Sequence, residues 1–376
     1  MDLDLIVVGG GPVGASLARA ARGLAVALVA TERRVPREAP YEGFDARVYA
    51  LSPGNVRFLD KLGAMPRAQA TPVHAMRVHG DDGSRIEFDA YRAGVPELAW
   101  IVEDRLLQDA LWGGLEAEVG APEAITVKDR DVVLGLADGR QLSARLIAGA
   151  DGARSFVREH AGIRCSDKAY GQSAVVANFA CERAHANTAY QWFQCGPVLA
   201  LLPLRASHVS MVWSLPAADA ERISALAPEA LCREVEAATH GVLGQLSLAT
   251  APRSYPLRRL SARRLVAPRV ALVGDAGHVI HPLAGQGLNL GLQDVRALVE
   301  VLAQRGALRD PGDPRLLRRY ERSRAEPILA MDTMVDGLYT LFGTHNRLAG
   351  RLRNAGLNLT DRLPVLKNLL IRQALH

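Results

Sequence analysis

The sequence predicts an α/β fold: a Rossmann-like, doubly wound nucleotide-binding domain that carries an inserted, mainly antiparallel sheet and ends in C-terminal helices. Three observations predict it. The apolar run Leu5–Val8 enters a glycine turn, an Ala-rich segment follows to about Arg22, and a second apolar run spans Val26–Val29. That is the strand, turn, helix, strand order of a nucleotide-binding unit. Two more short apolar runs, Leu146–Ala148 and Val270–Val273, each lead into a glycine-bearing turn. Between them His208–Leu215 alternates, with Val209, Met211, Trp213 and Leu215 on one face and His208, Ser210, Val212 and Ser214 on the other, the period of a half-buried strand.

The remaining elements follow the same logic. Trp100–Val102 reads as a strand leading into a helix with Leu106, Leu107, Ala110 and Leu111 at helical spacing. Tyr190–Phe193 and Val198–Leu204 read as further strands of the insert. After Gly287 a long helix carries Leu288, Leu292, Val295, Leu298 and Leu302 on one stripe. From about Pro327 the chain reads as helices broken at Gly343, Gly356 and Pro364. The expected division gives residues 1–70, 98–165 and 260–330 to the nucleotide-binding domain, 71–97 and 166–259 to the inserted sheet, and 331–376 to a C-terminal helical segment.

Composition bounds the class. A chain of 376 residues with 49% hydrophobic residues can bury a large core without covalent staples. Met1–Asp4 supplies no basic leader and Leu5–Val8 is too short for a signal core or a span, so a cytoplasmic protein is expected. Cys165, Cys181, Cys195 and Cys232 show no C-x-x-C spacing and no paired histidines, which suits reduced thiols and neither a metal site nor a disulfide framework. His345–His376 holds six basic residues against the single acid Asp361, so this tail carries all of the net charge of +5. The near-neutral remainder argues against a nucleic-acid partner.

Gly9-Gly10-Gly11-Pro12-Val13-Gly14 is a G-x-G-x-x-G placed after a strand and at the start of a helix, the context that gives the motif meaning. Gly9, Gly11 and Gly14 allow a tight turn and close backbone approach to a pyrophosphate, which the start of the helix at Pro12 and Val13 stabilises. Glu32, with Arg33 beside it, follows the second strand where an acid can accept from an adenosine ribose. The early end of the first helix at Arg22–Gly23 leaves open whether Glu32 or a nearer residue does so. A dinucleotide site follows, and a turn needed only for packing is the alternative.

Two further segments name the dinucleotide. Asp151-Gly152-Ala153-Arg154-Ser155-Phe156-Val157-Arg158 reads D-G-x-x-S-x-x-R, and Gly274-Asp275-Ala276-Gly277-His278 leads to His281-Pro282-Leu283-Ala284-Gly285-Gln286-Gly287-Leu288-Asn289. With these the chain resembles flavoprotein monooxygenases of the para-hydroxybenzoate hydroxylase fold. Asp275 closes a strand and can accept from ribityl or ribose hydroxyls, while Gly285–Asn289 set backbone N–H groups at a helix start, where negative charge on a reduced flavin is stabilised. The alternative makes Asp151 a turn residue and Asp275 and His281 helix-entry caps.

Over nearly the whole chain the resemblance is closer to the ubiquinone-biosynthesis hydroxylases of the UbiH, UbiF and VisC type. Asp45–Leu51 looks like their D-x-R-x-x-A-L segment, Val102–Arg105 is similar to their V-E-N-R, and Trp192-Phe193, Leu201–Leu204 and Val212–Ser214 look like their substrate-domain strands. The ending Arg353–Leu359 and Pro364–Lys367 resembles their last helices, while Gly277 stands where the family has alanine. The resemblance implies FAD as cofactor, Arg47 and Arg105 at the flavin or its phosphates, and Pro282 by the isoalloxazine ring. It also implies dioxygen as a substrate and a flavin hydroperoxide that hydroxylates the ring of a lipophilic phenol. The chain has a single G-x-G-x-x-G, so NAD(P)H is expected only as a transient electron donor.

No catalytic acid or base is assigned; His208, His278 and His281 read first as structural histidines and are acid or base candidates by residue type alone. Trp192 and Trp213 read first as core residues, with the lining of a substrate pocket as the alternative. Leu348, Leu352, Leu363, Leu366, Leu369 and Leu370 interleave with the basic tail, which suits peripheral contact with the inner face of a membrane or a quinone-biosynthesis complex, or else a packed helix with a solvated face. Rival readings are a flavoprotein of the same fold acting on another aromatic compound, a reductase, a halogenase, and a non-catalytic scaffold. The absence of W-x-W-x-I-P lowers the halogenase, and three intact flavin segments count against the scaffold.

Overall fold

The computed structural model describes residues 3–37, 41–80, 84–194, 196–280, 286–306 and 309–343, with side chains to residue 337. Its central sheet runs, in parallel, Val270–Leu272, Gln141–Gly149, Leu3–Val8, Val26–Ala30 and Glu118–Val119. The first apolar run lies in the middle because Leu5, Ile6, Val7 and Val8 are all buried, as a strand covered on both faces must be. One face packs on the helices Pro12–Ala20, Asp104–Trp112, Gly287–Ala303 and Pro314–Gly343 through Leu17, Leu107, Leu292 and Tyr320. The other is covered by the short helix Phe156–His160 and the meander Pro122–Val127 and Val132–Leu136, with Val132, Leu134 and Val157 in its core.

The second sheet follows the order His278–Val279, Leu246–Ala262, Cys165–Cys181, His208–Pro216, Val198–Leu204, Thr188–Phe193, Ala75–His79 and Arg85–Asp89. Its neighbours pair antiparallel apart from Thr188–Phe193 on Ala75–His79, which is parallel. Val209, Met211, Trp213 and Leu215 do share one face, and it is buried under two helices, Ala217–Ser224 and Pro228–Ala238. These helices are not among the elements expected from the sequence, although Leu231, Cys232, Val235 and Ala238 are at helical spacing and join Ala220 and Ile223 in this core. The opposite face turns to the first domain: Ala189 and Leu204 pack with Ile101 and Val73, and Phe44 and Val48 close the edge.

The last described helix begins at Pro314, well before the expected start near Pro327. Pro327 sits inside it, giving up one backbone donor, and the helix is anchored around that point by buried Tyr320, Arg324, Asp332 and Val335. The expected breaks at Gly356 and Pro364 fall outside the described residues. Among the described residues no helix is long and apolar enough to cross a membrane.

Candidate functional site

Parallel register delivers three turns to one edge of the central sheet. Val8 pairs with Gly149 and with Val29, and Gly149 pairs with Leu272, so Gly9, Asp151, Asp275 and the loop carrying Glu32 all leave the same end, where such folds bind nucleotides. The glycines make this convergence possible. Gly9 has φ +116, and a Cβ there would overlap the Ala150 carbonyl; a Cβ on Gly14 would overlap the carbonyl of Gly9. Val13 fills the space left by two others, since a Cβ on Gly291 would come within 2.8 Å of its Cγ2 and one on Gly274 within 3.1 Å. Gly11 differs: its Cβ would point into open space at the start of the helix Pro12–Ala20. A phosphate fits there.

Arg47 and Asp275 meet in the cleft beside this turn. Both reach the surface and their charges interact, which makes them the floor of the candidate site. Enclosure pushes the Asp275 carboxyl above the usual carboxylate range, with His278 and Arg47 opposing it. For Arg47 the enclosure disfavours charge, but Tyr49, Asp104 and Asp275 outweigh it and raise its pKa. Arg47 lies 5.3 Å from the centre of the Tyr49 ring, and the Tyr49 hydroxyl donates to Asp104 at 2.8 Å. The inserted sheet forms the opposite wall. Asn178 Nδ2 donates to the Asp45 carbonyl at 2.7 Å, and Ala174, Val176, Val212 and Ala200 occupy the same face through the pairs Ala174↔Ser214, Val176↔Val212 and Ala200↔Val212.

Several motif residues hold the site without reaching its opening. Asp151 accepts from Ser155 Oγ at 2.6 Å and from the Val157 amide at 3.0 Å, and Ser155 caps the helix through the Arg158 amide. Arg158, to which sequence reasoning gives no role, donates to the carbonyls of Ala276 at 2.8 Å and Ala153 at 2.9 Å. It thus ties the second segment to the third. Asn289 is buried; its Nδ2 donates to the Ala50 carbonyl at 2.7 Å and its Oδ1 accepts from the Ser52 amide and Asn55 Nδ2. Its side chain is therefore committed to packing, and the open space at Gly287 lies at the start of the same helix.

Arg105 lies against the 41–45 loop, donating to Glu103 at 3.0 Å and to the Gly43 carbonyl at 2.6 Å. Glu32 and Arg33 are exposed just past Val26–Ala30. Pro282, Gly285, His281 and Cys195 lie outside the described residues. Both tryptophans and His278 have structural roles. Trp192 and Trp213 belong to the core beneath the insert helices, on the face away from the cleft, because the strand parity that puts Val212 on the cleft side puts Trp213 on the other. His278 is not free for acid or base work: it is buried against Asp294 at 2.6 Å. His208 packs its ring 4.5 Å from Phe44 at the sheet edge.

A buried carboxylate that no motif spacing had singled out sits beneath the third turn. Asp294 accepts from the Gly274 amide at 2.9 Å, from His278 and from Arg324 Nε at 2.6 Å. Burial alone would raise its pKa, but His278 and Arg324 hold it below the ordinary carboxylate range. The arrangement as a whole offers backbone donors, one cation and one acid around an open groove, which suits an anionic dinucleotide.

Residues 2–332 match the family described as FAD binding domain. The chain belongs to that family. It is 36% identical to ubiquinone hydroxylase UbiL of Rhodospirillum rubrum, over 99% of this chain and 89% of that protein. It is 33% identical to 3-demethoxyubiquinol 3-hydroxylase of Escherichia coli, over 99% and 98%. The solved structure of p-nitrophenol 4-monooxygenase PnpA from Pseudomonas putida superposes with a TM-score of 0.79, 18% identity and coverage of 99% and 97%, which shows the shared fold. FAD is the cofactor, and the chain is an FAD-dependent monooxygenase. The open space at Gly11, the open backbone at Gly287 and the Arg47–Asp275 floor fit that cofactor.

Proposed function

We propose that this protein hydroxylates the aromatic ring of a polyprenylated phenol in ubiquinone biosynthesis, with dioxygen as oxidant and NAD(P)H as a visiting electron donor. The observation that supports it is that Arg47 and Asp275 interact beside the glycine turn, while the face of the inserted sheet that meets the first domain through Asn178 and Asp45 carries Ala174, Val176, Ala200 and Val212. Small apolar side chains there suit a substituted ring, and the full-length relatives named for ubiquinone chemistry support the substrate class.

When bound, FAD supplies the oxygen-activating chemistry; the chain binds, orients and keeps water away. In this reading the Gly9–Gly14 turn and the helix behind it take the pyrophosphate, Glu32 with Arg33 meets the adenosine ribose, and Asp275 accepts from the ribityl chain. Arg47, Arg105 and the amides of Gly285, Gly287, Leu288 and Asn289 stabilise negative charge on the flavin, and Pro282 packs beside its ring. Asp151 acts through Ser155 and the helix it caps. Residues 71–97 and 166–259 supply the substrate wall.

The basic tail gives a lipophilic substrate a route in. Six basic residues between Arg347 and Arg372 follow in sequence after the helix Pro314–Gly343, which exposes Leu329 and Met334. Apolar and basic groups together suit the inner face of an anionic membrane. Deleting the gene and profiling quinone intermediates tests the assignment. An accumulated prenylated phenol lacking one ring hydroxyl supports it, and unchanged quinone and precursor levels in a strain with no second hydroxylase would reject it.

A further inference from the structure

We propose that Asp294, His278 and Arg324 form a buried clamp that positions the Gly274–His278 turn for FAD, so that they set cofactor affinity apart from their part in folding. The inference rests on the FAD site and not on the identity of the substrate.

The three side chains come from three elements. His278 ends the turn, Asp294 lies in the helix Gly287–Ala303, and Arg324 lies in the helix Pro314–Gly343. All are buried, Asp294 completely. The two oxygens of Asp294 divide the work. Oδ2 accepts from the amide of Gly274 at 2.9 Å and from His278 Nε2 at 2.6 Å, gripping both ends of the turn whose second residue is Asp275. Oδ1 accepts from Arg324 Nε at 2.6 Å, and Arg324 also reaches Gln293 Oε1 at 3.3 Å.

Gly274 leaves the strand geometry with φ +61, and its amide donates to this carboxylate instead of to a neighbouring strand. Tyr320, one turn before Arg324, fixes the strand below by donating to the Leu272 carbonyl at 2.7 Å. From the other side Arg158 holds Ala276. Asp275 is therefore presented to the cleft from a turn held at both ends and in the middle.

Stability alone is a poor reason for this arrangement, because well-packed apolar groups replace buried ion pairs at little cost or with gain. A carboxylate receiving two donors from one turn does what apolar packing cannot: it fixes the direction of the amide before Asp275. Groups in this outer layer orient those that touch a bound ligand.

The test compares apoprotein melting with FAD titration in the full chain. In Asp294→Asn the Kd for FAD should weaken by about tenfold or more, as when an outer-layer carboxylate is removed from a ligand site. The apolar replacement His278→Phe/Asp294→Leu/Arg324→Met should recover the melting midpoint of the parent apoprotein while FAD binding stays about tenfold weaker. Recovery of both together would overturn the inference. If the triple variant does not fold, Asp294→Asn and Arg259→Met decide. Arg259→Met cuts another anchor of the same helix, the pair of Arg259 with Asp332 at 2.7 Å. Its Kd should stay within about twofold of the parent, as for a site outside the clamp. Equal weakening in both variants would reduce the clamp to general support.

Discussion

The two walls of the cleft are written in the sequence in different ways. The flavin wall is a set of turns, each specified locally: Gly9 at φ +116 against Ala150, Gly14 against Gly9, and Ser155 capping its own helix. The proposed substrate wall is a face of a sheet, assembled from Ala174, Val176, Ala200 and Val212 on three strands. A turn that needs a particular φ or a missing Cβ restricts residue type at a fixed position. A sheet face asks only for parity and modest size, so its residues can change with the substrate while the fold stays.

That contrast predicts graded effects. Gly14→Val should be the most damaging, because a side chain there meets backbone; a loss above about 3 kcal/mol is expected, enough to abolish FAD binding and lower soluble yield. Normal folding of this variant, measured by denaturant melting, would break the claim that turns dominate the flavin wall. Val212→Phe should leave FAD titration unchanged and reduce kcat/KM for a bulky phenol by about tenfold. An equal loss of FAD binding would show that the walls are not separable.

Asp275→Asn tests the floor through pH. The raised carboxyl binds its proton more readily in the folded chain than in the unfolded one, so its stabilising contribution is complete below the ordinary aspartate range and is lost as pH rises through the elevated value. The apoprotein should gain stability on acidification across that window, and Asp275→Asn should remove this component and melt higher than the parent at neutral pH. FAD binding should weaken in the same variant. Arg258→Ala, which removes the exposed pair with Asp167, should change stability by no more than about 0.5 kcal/mol.

Legibility follows the same line. The parallel strands, the glycine turn and the convergence of Gly9, Asp151 and Asp275 could be read because apolar runs and glycines sit next to each other in the chain. Asp151 and Asn289 were readable as motif members, but their local bonding to Ser155, Val157 and Ser52 was not. Arg324 and Asp294 are 30 positions apart on two helices, and no periodicity reports a buried partner at that distance. Trp192 and Trp213 read first as core, and strand parity places them there. The helix through Pro327 was missed because tertiary anchors override the local cost of proline.

The most direct test of the central claim is an absorbance spectrum of the purified protein, taken before and after reconstitution with FAD, and repeated for Gly14→Val. A flavin spectrum with FAD bound in the parent and none in the variant is the predicted result. A parent that stays colourless after reconstitution, or a variant that binds FAD as well as the parent, would contradict it.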